Sequence, residues 1–227
     1  MVEDGYLYVD GSLGEGGGQV LRAALALSMA LGKPFRMGSI RAKRKRPGLK
    51  RQHITCLLAA QRICDAQIEG AELNASEIVF APGSVKAGNY DFAIGTGGSV
   101  SLVLQAILPP LCFASGRSHL VVCGGTHVPG APPFEFLCAT LFPCLELLGP
   151  RLETSLERVG YMVVGVGIVH VSITPTAKPQ PLLLEWTEVR REARAILYGQ
   201  IFLMVLLSVK SRFCLKRERS LVLVKSA

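Results

Sequence analysis

A glycine-rich stretch at residues 10–22, with the sequence DGSLGEGGGQVLR, constrains the fold of this chain more than any other feature. It follows an apolar run at residues 6–9 and precedes a helical pattern at residues 20–31, so its glycines lie where a strand turns into a helix. Glycine permits positive φ angles, and the first turn of a helix offers free N–H groups. The stretch therefore predicts either an anion site or a glycine-rich connection with solvated polar groups. It matches neither GxGxxG nor GxxxxGKS/T, so neither a Rossmann fold nor a P-loop is indicated.

A basic segment at residues 41–51 is the second constraint, because it holds seven lysines and arginines and no acidic residue. The whole chain has a formal net charge of +8 and a pI near 9.3. Such a segment favours phosphate groups, of a nucleic acid or of a nucleotide, over a neutral ligand. A solvated loop or a nuclear-localisation run is the alternative interpretation. The basic residues are Arg41, Lys43, Arg44, Lys45, Arg46, Lys50 and Arg51.

The seven cysteines and the apolar segments indicate the compartment. The cysteines are odd in number, lack CxxC spacing and fall mostly in apolar runs, which is typical of reduced thiols in an intracellular protein. Residues 1–5 lack the apolar region of a secretory signal. The apolar stretch 92–114 contains three glycines and two prolines, and the stretch 196–209 is too short to cross a bilayer. We therefore expect no membrane helix and a cytoplasmic protein, or a nuclear one in a eukaryote.

The pattern of strands and helices repeats at a separation of about 80 residues. The first pass predicts strands at 6–10, 35–41, 67–73 and 78–81, and helices at 17–31 and 49–65. The second predicts strands at 90–94, 119–123, 152–159 and 167–173, and helices that end near residues 113 and 149. The predicted fold class is therefore α/β, with tandem β-α-β-α-β-β units that each pack two helices on one face of a four-stranded sheet.

The region after residue 175 does not begin a third pass. Three prolines at 175, 179 and 181 predict a linker, and residues 186–198 predict a charged helix. An apolar run at 201–209 and a basic run at 210–227 follow. We therefore predict a core at 1–175, made of units at about 1–85 and 86–175, and an irregular tail at 176–227.

Several motifs together resemble the RNA 3′-terminal phosphate cyclase family over roughly residues 6–173. They are the glycine-rich stretch, IRAKRKRPGLKRQH at 40–53, IEGAE at 68–72, GGSVSLVLQ at 97–105, GGT at 124–126 and APP at 131–133. The resemblance implies an enzyme that uses ATP to convert an RNA 3′-phosphate into a 2′,3′-cyclic phosphate, through an adenylated histidine and an AMP-activated RNA end. It also implies repeated units of the enolpyruvyl-transferase type with a small inserted domain, of which the tail is interpreted as a remnant.

The resemblance implies roles for eight residues, with ATP and RNA 3′ ends as the partners. Gln105 and Pro132 are expected to line the adenylate pocket, and Glu15 to hold Mg²⁺ together with the nucleotide. Arginine forks pair with two phosphate oxygens at once, which suits a cleft that handles phosphates. The residues expected in that cleft are Glu15, Gln19, Arg22, Arg41, Arg44 and Gln52.

No catalytic residue is assigned, because the family's nucleophilic histidine lies in a C-terminal segment that residues 1–227 do not include. The chain is accordingly interpreted as C-terminally truncated. His53 is interpreted as a binding or packing residue, His119 and His170 as strand residues, and His127 as a loop residue beside the adenylate pocket. Residues 160–167, GYMVVGVG, replace the family's Pro-Xaa-Gly-Gly-Gly run and leave the backbone less open there.

Two other functions stay open at this point. One is a non-catalytic RNA-binding or ribosomal RNA processing factor of the cyclase-like branch. A preference for 3′-phosphate over 3′-hydroxyl ends would separate the cyclase from a general RNA binder, which is held by counterion release. The other is an enolpyruvyl-transferase-like enzyme, which only the fold analogy supports.

Overall fold

The computed structural model describes residues 2–3, 5–95, 98–161, 166–182, 195–197 and 222–224. The chain divides into two compact units, Met1–Leu182 and Leu183–Ala227. Within the described residues of the larger unit, two β-sheets and five helices are formed. The domain limits expected from the sequence stay a prediction.

The first repeat of the larger unit is built on a five-stranded sheet with the order β1-β2-β3-β5-β4. Strands β2 and β3 are parallel and α1 connects them, whereas β5 runs antiparallel to both β3 and β4. The sheet therefore presents the glycine-rich connection between β2 and α1 at one end. The elements are β1 (Val2–Glu3), β2 (Tyr6–Asp10), α1 (Gln19–Leu31), β3 (Phe35–Gly38), α2 (Arg51–Cys64), β4 (Gln67–Glu69) and β5 (Ile78–Ala81).

The second repeat forms a four-stranded sheet with the order β6-β7-β9-β8. Strands β6 and β7 are parallel, and β9 is antiparallel to β7 and β8. This order reproduces β2-β3-β5-β4 of the first repeat, so the predicted tandem β-α-β-α-β-β units are confirmed. The elements are β6 (Asn89–Ala93), α3 (Val100–Leu111), β7 (Ser118–Gly124), α4 (Phe134–Ala139), α5 (Leu141–Glu146), β8 (Arg151–Arg158) and β9 (Gly167–Thr174).

Helices α1, α2 and α3 pack on one another and join the two repeats around one hydrophobic core. Leu25 of α1, Leu57 of α2 and Leu104 of α3 are fully buried in that core. Apolar burial of this kind stabilises by about 1.5–3 kcal/mol per large side chain. Gly32 ends α1 with a left-handed φ of 64°, and Asp65 ends α2 with a φ of 48°. The core thus fixes the first turns of α1 and α2, which build the site described below.

Several element boundaries differ from the sequence predictions. Strand β3 ends at Gly38 rather than at residue 41, because Ser39 and Arg41 adopt left-handed φ angles of 54° and 56°. Strand β4 ends at Glu69 rather than at residue 73, because Gly70 turns the chain with a φ of 75°. The helix predicted to end near residue 149 is two short helices, α4 and α5, since Thr140 leaves helical geometry with φ −127° and ψ −71°.

The smaller unit corrects one prediction at its described residues. Ala195–Leu197 forms strand β10, which pairs in parallel with β11 (Val222–Val224), so the predicted helix at 186–198 does not include these three residues. Their backbone is extended because its hydrogen bonds go to the neighbouring strand. The rest of that predicted helix, the apolar run 201–209, most of the basic run 210–227 and residues 162–165 of the altered glycine motif lie outside the described residues.

In the described part of the chain, no helix is long and apolar enough to cross a bilayer. Helix α3, the most apolar one, has only 12 residues and contains Pro109 and Pro110 near its end.

Candidate functional site

A cleft of about 970 Å³ lies against the N-terminus of α1. Its walls are the glycine-rich turn, the first turns of α1, the basic loop after β3 and the start of α2. An apolar wall from α1 completes it, with Val20, Ala23 and Leu27. The structure thus brings together all six residues expected around phosphates, which are Glu15, Gln19, Arg22, Arg41, Arg44 and Gln52.

The glycine-rich turn leaves its backbone open towards the cleft. Gly14 and Gly16 adopt left-handed φ angles of 59° and 57°, which side chains disfavour. A Cβ atom at Gly17 would lie 3.1 Å from Arg44 Nη2, so glycine lets this arginine approach the backbone. Gly18 is the N-cap residue of α1, and no side chain among the described residues caps this helix. The first-turn N–H groups and the positive end of the helix dipole therefore face the cleft and favour an anion.

Arg22 is the most constrained cation of the cleft. It is only 9% exposed, and its Nε atom is buried without a hydrogen-bond partner among the described residues. Burial lowers the pKa of its guanidinium. A buried charge without a partner is costly, so this geometry suits a site that an anionic ligand completes.

Gln52 on α2 shows the same incomplete pairing. Its Oε1 atom accepts a hydrogen bond from the backbone N–H of Ser99 at 3.4 Å. Its Nε2 atom is buried and has no hydrogen-bond partner within the described part of the chain. The side chain is therefore oriented from the second repeat while its donor remains available.

Arg41 and Arg44 add positive charge from the basic loop. Arg41 Nη1 donates to the carbonyl oxygens of Arg46 at 2.8 Å and Gly48 at 3.0 Å, which fixes the shape of the loop. Burial and the nearby Arg44 lower the pKa of Arg41. Arg44 pairs with Glu15 at 3.4 Å, but the Glu15 side chain is 94% exposed, so water screens this pair strongly. Among the described lining residues Glu15 is the only acidic one, and the cleft is electropositive.

His53, interpreted from the sequence as a binding or packing residue, also lines the cleft. Its ring is buried, and Nδ1 accepts a hydrogen bond from the backbone N–H of Lys50 at 3.0 Å. Burial lowers the pKa of His53 to about 4, with further contributions from Arg41, Arg22 and Lys50. The ring is therefore neutral at pH 7. Its position next to Gln52 in the basic motif was the available signal.

Comparison with known proteins identifies the family. Residues 13–221 match the family model described as RNA 3′-terminal phosphate cyclase. The chain belongs to the RNA 3′-terminal phosphate cyclase family. A similar relative is the RNA 3′-terminal phosphate cyclase of Koribacter versatilis (strain Ellin345), 47% identical over 196 residues. The alignment covers 86% of this chain and 55% of the relative, so the chain spans about half the length of that cyclase.

The two residues expected to bind adenylate in this family lie apart from the cleft lining. Gln105 and Pro132 are both half-buried, and among the described residues the lining reaches their segments only at Leu102 and Gly130. Gln105 lies one helical turn beyond Leu102 on α3. Pro109 has no N–H group to donate to the Gln105 carbonyl, so that oxygen lacks its usual helical donor. The adenylate pocket of the family stays a prediction for this chain.

The described lining of the cleft offers one carboxylate, that of Glu15, to the Mg²⁺ ion expected for the family. Within the described residues, no group of three His, Cys, Asp or Glu side chains is arranged to hold a metal ion. Mg²⁺ is commonly held by one or two carboxylates together with substrate phosphates and water. Glu15 is exposed and lies at the glycine-rich turn, so it fits a Mg²⁺ ion that arrives with phosphate groups.

The other three histidines lie away from the cleft lining. His119 Nδ1 lies 3.0 Å from Ser172 Oγ, and His170 Nε2 lies 2.6 Å from Glu157 Oε2, both on the outer face of the second sheet. His127 lies between Thr126 and Glu135, with its Nε2 atom 2.9 Å from the carboxylate. These contacts account for each ring by local pairing.

Proposed function

We propose that this chain takes part in the ATP-dependent conversion of an RNA 3′-terminal phosphate into a 2′,3′-cyclic phosphodiester, and that its cleft holds the phosphates. The observation that carries the proposal is the buried guanidinium of Arg22, whose Nε donor has no partner among the described residues. A terminal phosphate monoester offers two negative charges and three acceptor oxygens to this position. Family membership supports the reaction class.

Each lining residue has a proposed role in this reaction. Arg22 and Arg44 bind phosphate oxygens, and Arg41 fixes the loop and adds positive potential. Gln19 and Gln52 supply neutral donors that orient the RNA end. Glu15 holds Mg²⁺ with the phosphates, and Gln105 and Pro132 contribute to ATP binding. When bound, Mg²⁺ neutralises phosphate charge so that the nucleotide and the RNA end can lie close together.

Ring closure requires that the ribose 2′-hydroxyl oxygen attack the adjacent 3′-phosphorus while an activated oxygen leaves. AMP attached to the 3′-phosphate is the leaving group that ATP provides in this family. The residues of the cleft contribute by holding the phosphate in a fixed orientation and by stabilising the negative charge on its oxygens. None of the four histidines is proposed as the nucleophile. A cytoplasmic location also stays a prediction.

Selective binding of the RNA end tests the proposal. We expect the full chain to bind an oligoribonucleotide with a 3′-phosphate at least about tenfold more tightly than its 3′-hydroxyl counterpart, because charge-assisted hydrogen bonds contribute about 1.5–3 kcal/mol. Arg22→Met should remove this preference. Arg36→Met is the matched control, since Arg36 is an exposed arginine of β3 outside the cleft lining.

The outcomes separate the proposal from its alternative. Equal affinity for both RNA ends, with a steep dependence on salt, would favour a non-catalytic RNA-binding factor and contradict the phosphate site. Conversion is measured separately, by incubating the 3′-phosphate RNA with ATP and Mg²⁺ and following resistance of the terminal phosphate to phosphatase. ATP labelled at its α-phosphate shows in the same reaction whether the chain becomes adenylated.

A further inference from the structure

His53 occupies an unusual position at the start of α2. It is the third helical residue, and its Nδ1 atom accepts a hydrogen bond from the N–H of Lys50, the N-cap residue, at 3.0 Å. The residue is only 8% exposed, and it lines the cleft. The imidazole therefore connects the helix cap on one side with the cleft on the other.

The hydrogen bond to Lys50 determines the tautomer of the ring. A nitrogen that accepts a backbone N–H carries no proton, so the proton of the neutral imidazole is on Nε2. Protonation of both nitrogens is disfavoured, because the ring is buried and Arg41, Arg22 and Lys50 surround it with positive charge. His53 thus presents one N–H donor at Nε2, and within the described residues Nε2 makes no hydrogen bond.

Gly18 shows where this donor lies. A Cβ atom at Gly18 would collide with His53 Nε2 and would lie 3.0 Å from Arg22 Nη1. The imidazole donor, the Arg22 guanidinium and the N-cap residue of α1 therefore meet at one point of the cleft. Three kinds of donor with different charge converge there: a neutral N–H, a cation and the free N–H groups of a helix.

We propose that His53 is a phosphate-binding residue that donates its Nε2–H to an oxygen of the anion held by Arg22 and the N-terminus of α1. The inference rests on the proposed function for the identity of the anion. A neutral donor adds a directed hydrogen bond without adding to the repulsion among Arg22, Arg41 and Arg44. Nε2 would bind the anion, while Nδ1 accepts the hydrogen bond from Lys50 at the start of the helix.

Two substitutions separate binding from capping. In His53→Asn, Oδ1 takes the place of Nδ1 and accepts from Lys50, whereas the donor at Nε2 is lost. In His53→Gln, both functions are kept, because Oε1 of glutamine at this position accepts from the Lys50 N–H as in a capping box and its Nε2 remains a donor. We expect His53→Asn to keep its thermal stability and to bind 3′-phosphate RNA roughly 10-fold or more weakly. We expect His53→Gln to keep most of its affinity and most of its thermal stability.

Unchanged binding of 3′-phosphate RNA by His53→Asn would overturn the inference, because the ring would then serve the cap alone. Because the comparison uses both RNA ends, the proposed function is judged separately. A wild-type chain without preference for the 3′-phosphate contradicts that function, whereas a preference that survives in His53→Asn contradicts only the role of His53.

A spectroscopic measurement reaches the same residue without RNA. Histidine labelled with ¹⁵N in the full chain reports which ring nitrogen carries the proton, and comparison with His53→Asn assigns the signal. At pH 7 we expect the proton on Nε2 and a shift of that resonance when inorganic phosphate is added. A proton on Nδ1, or an Nε2 resonance that stays unchanged throughout the phosphate titration, would overturn the inference.

Discussion

Substitution of Gly18 by alanine tests the geometry of the cleft most directly. Gly18 has φ −74° and ψ −1°, so alanine can adopt its backbone conformation and the effect is not one of backbone strain. The added Cβ would collide with His53 Nε2 and press on Arg22 Nη1. Overpacking of this kind costs about 1–3 kcal/mol, and alanine at an N-cap position costs up to about 1 kcal/mol more. We therefore expect a loss of roughly 1–4 kcal/mol in the free energy of unfolding.

Thermal and urea unfolding measure this loss. For a compact unit of this size, the expected fall in Tm is roughly 2–16 °C. Gly88→Ala is the matched control, because the nearest atoms to a Cβ there would be those of the Tyr90 side chain, at ordinary contact distances of 3.6–3.7 Å. In the double variant Gly18→Ala/His53→Asn, the shorter side chain should relieve the collision and recover about 1 kcal/mol or more. Additive effects, or a Gly18→Ala chain as stable as Gly88→Ala, would refute the proposed convergence at Gly18.

Three further predictions follow from buried groups. The pKa of His53 is about 4 in the folded chain and near 6.5 in the unfolded chain. The neutral ring therefore contributes roughly 3 kcal/mol to the free energy of unfolding above pH 6.5, and this contribution is lost as the pH falls towards 4. His53→Asn should reduce the pH dependence of urea unfolding in this range. Burial raises the pKa of Cys56 and Cys112 to about 12, so thiol reagents at pH 8 should spare both in the native chain, and rapid modification mapped by mass spectrometry would contradict their burial. Arg22→Met should raise the Tm of the ligand-free chain by removing a buried charge, and an unchanged or lower Tm would show that Arg22 is already compensated.

The order of the elements was predictable because glycine and proline separate the apolar runs. The glycine-rich turns before α1 and α3 and the repeated spacing were enough to predict two β-α-β-α-β-β units. The end of β3 was not predictable, because it depends on left-handed φ angles at Ser39 and Arg41, neither of which is a glycine. At the end of β4, Gly70 itself was the available signal. The break at Thr140 was not predictable either, because no glycine lies there.

The residues that form the candidate site were predictable from the sequence, but their geometry was not. The resemblance named Arg22, Arg44 and Gln52, and the structure places them in one cleft because α1, α2 and the basic loop meet at the end of the first sheet. Burial of Arg22 depends on packing between helices, and the tautomer of His53 depends on its hydrogen bond to the N-cap residue Lys50. The spacing of residues in the sequence reveals neither. Gln105 was expected with this group, yet it lies a turn further along α3 than the lining residue Leu102.

The distribution of charge explains why the cleft is more favourable with a bound anion than without one. A protein that used Arg22 for stability would pair it with a carboxylate, but Glu15, the acidic residue of the described lining, lies 3.4 Å from Arg44 and is almost fully exposed. Arg22 instead shares its surroundings with Gly18 and the neutral His53, which leave its charge unbalanced. Hydrogen bonds to a phosphate would offset the desolvation of Arg22 and employ the donor of His53 at the same time. The same contacts that are unfavourable in the ligand-free chain therefore become the source of selectivity for a phosphorylated end.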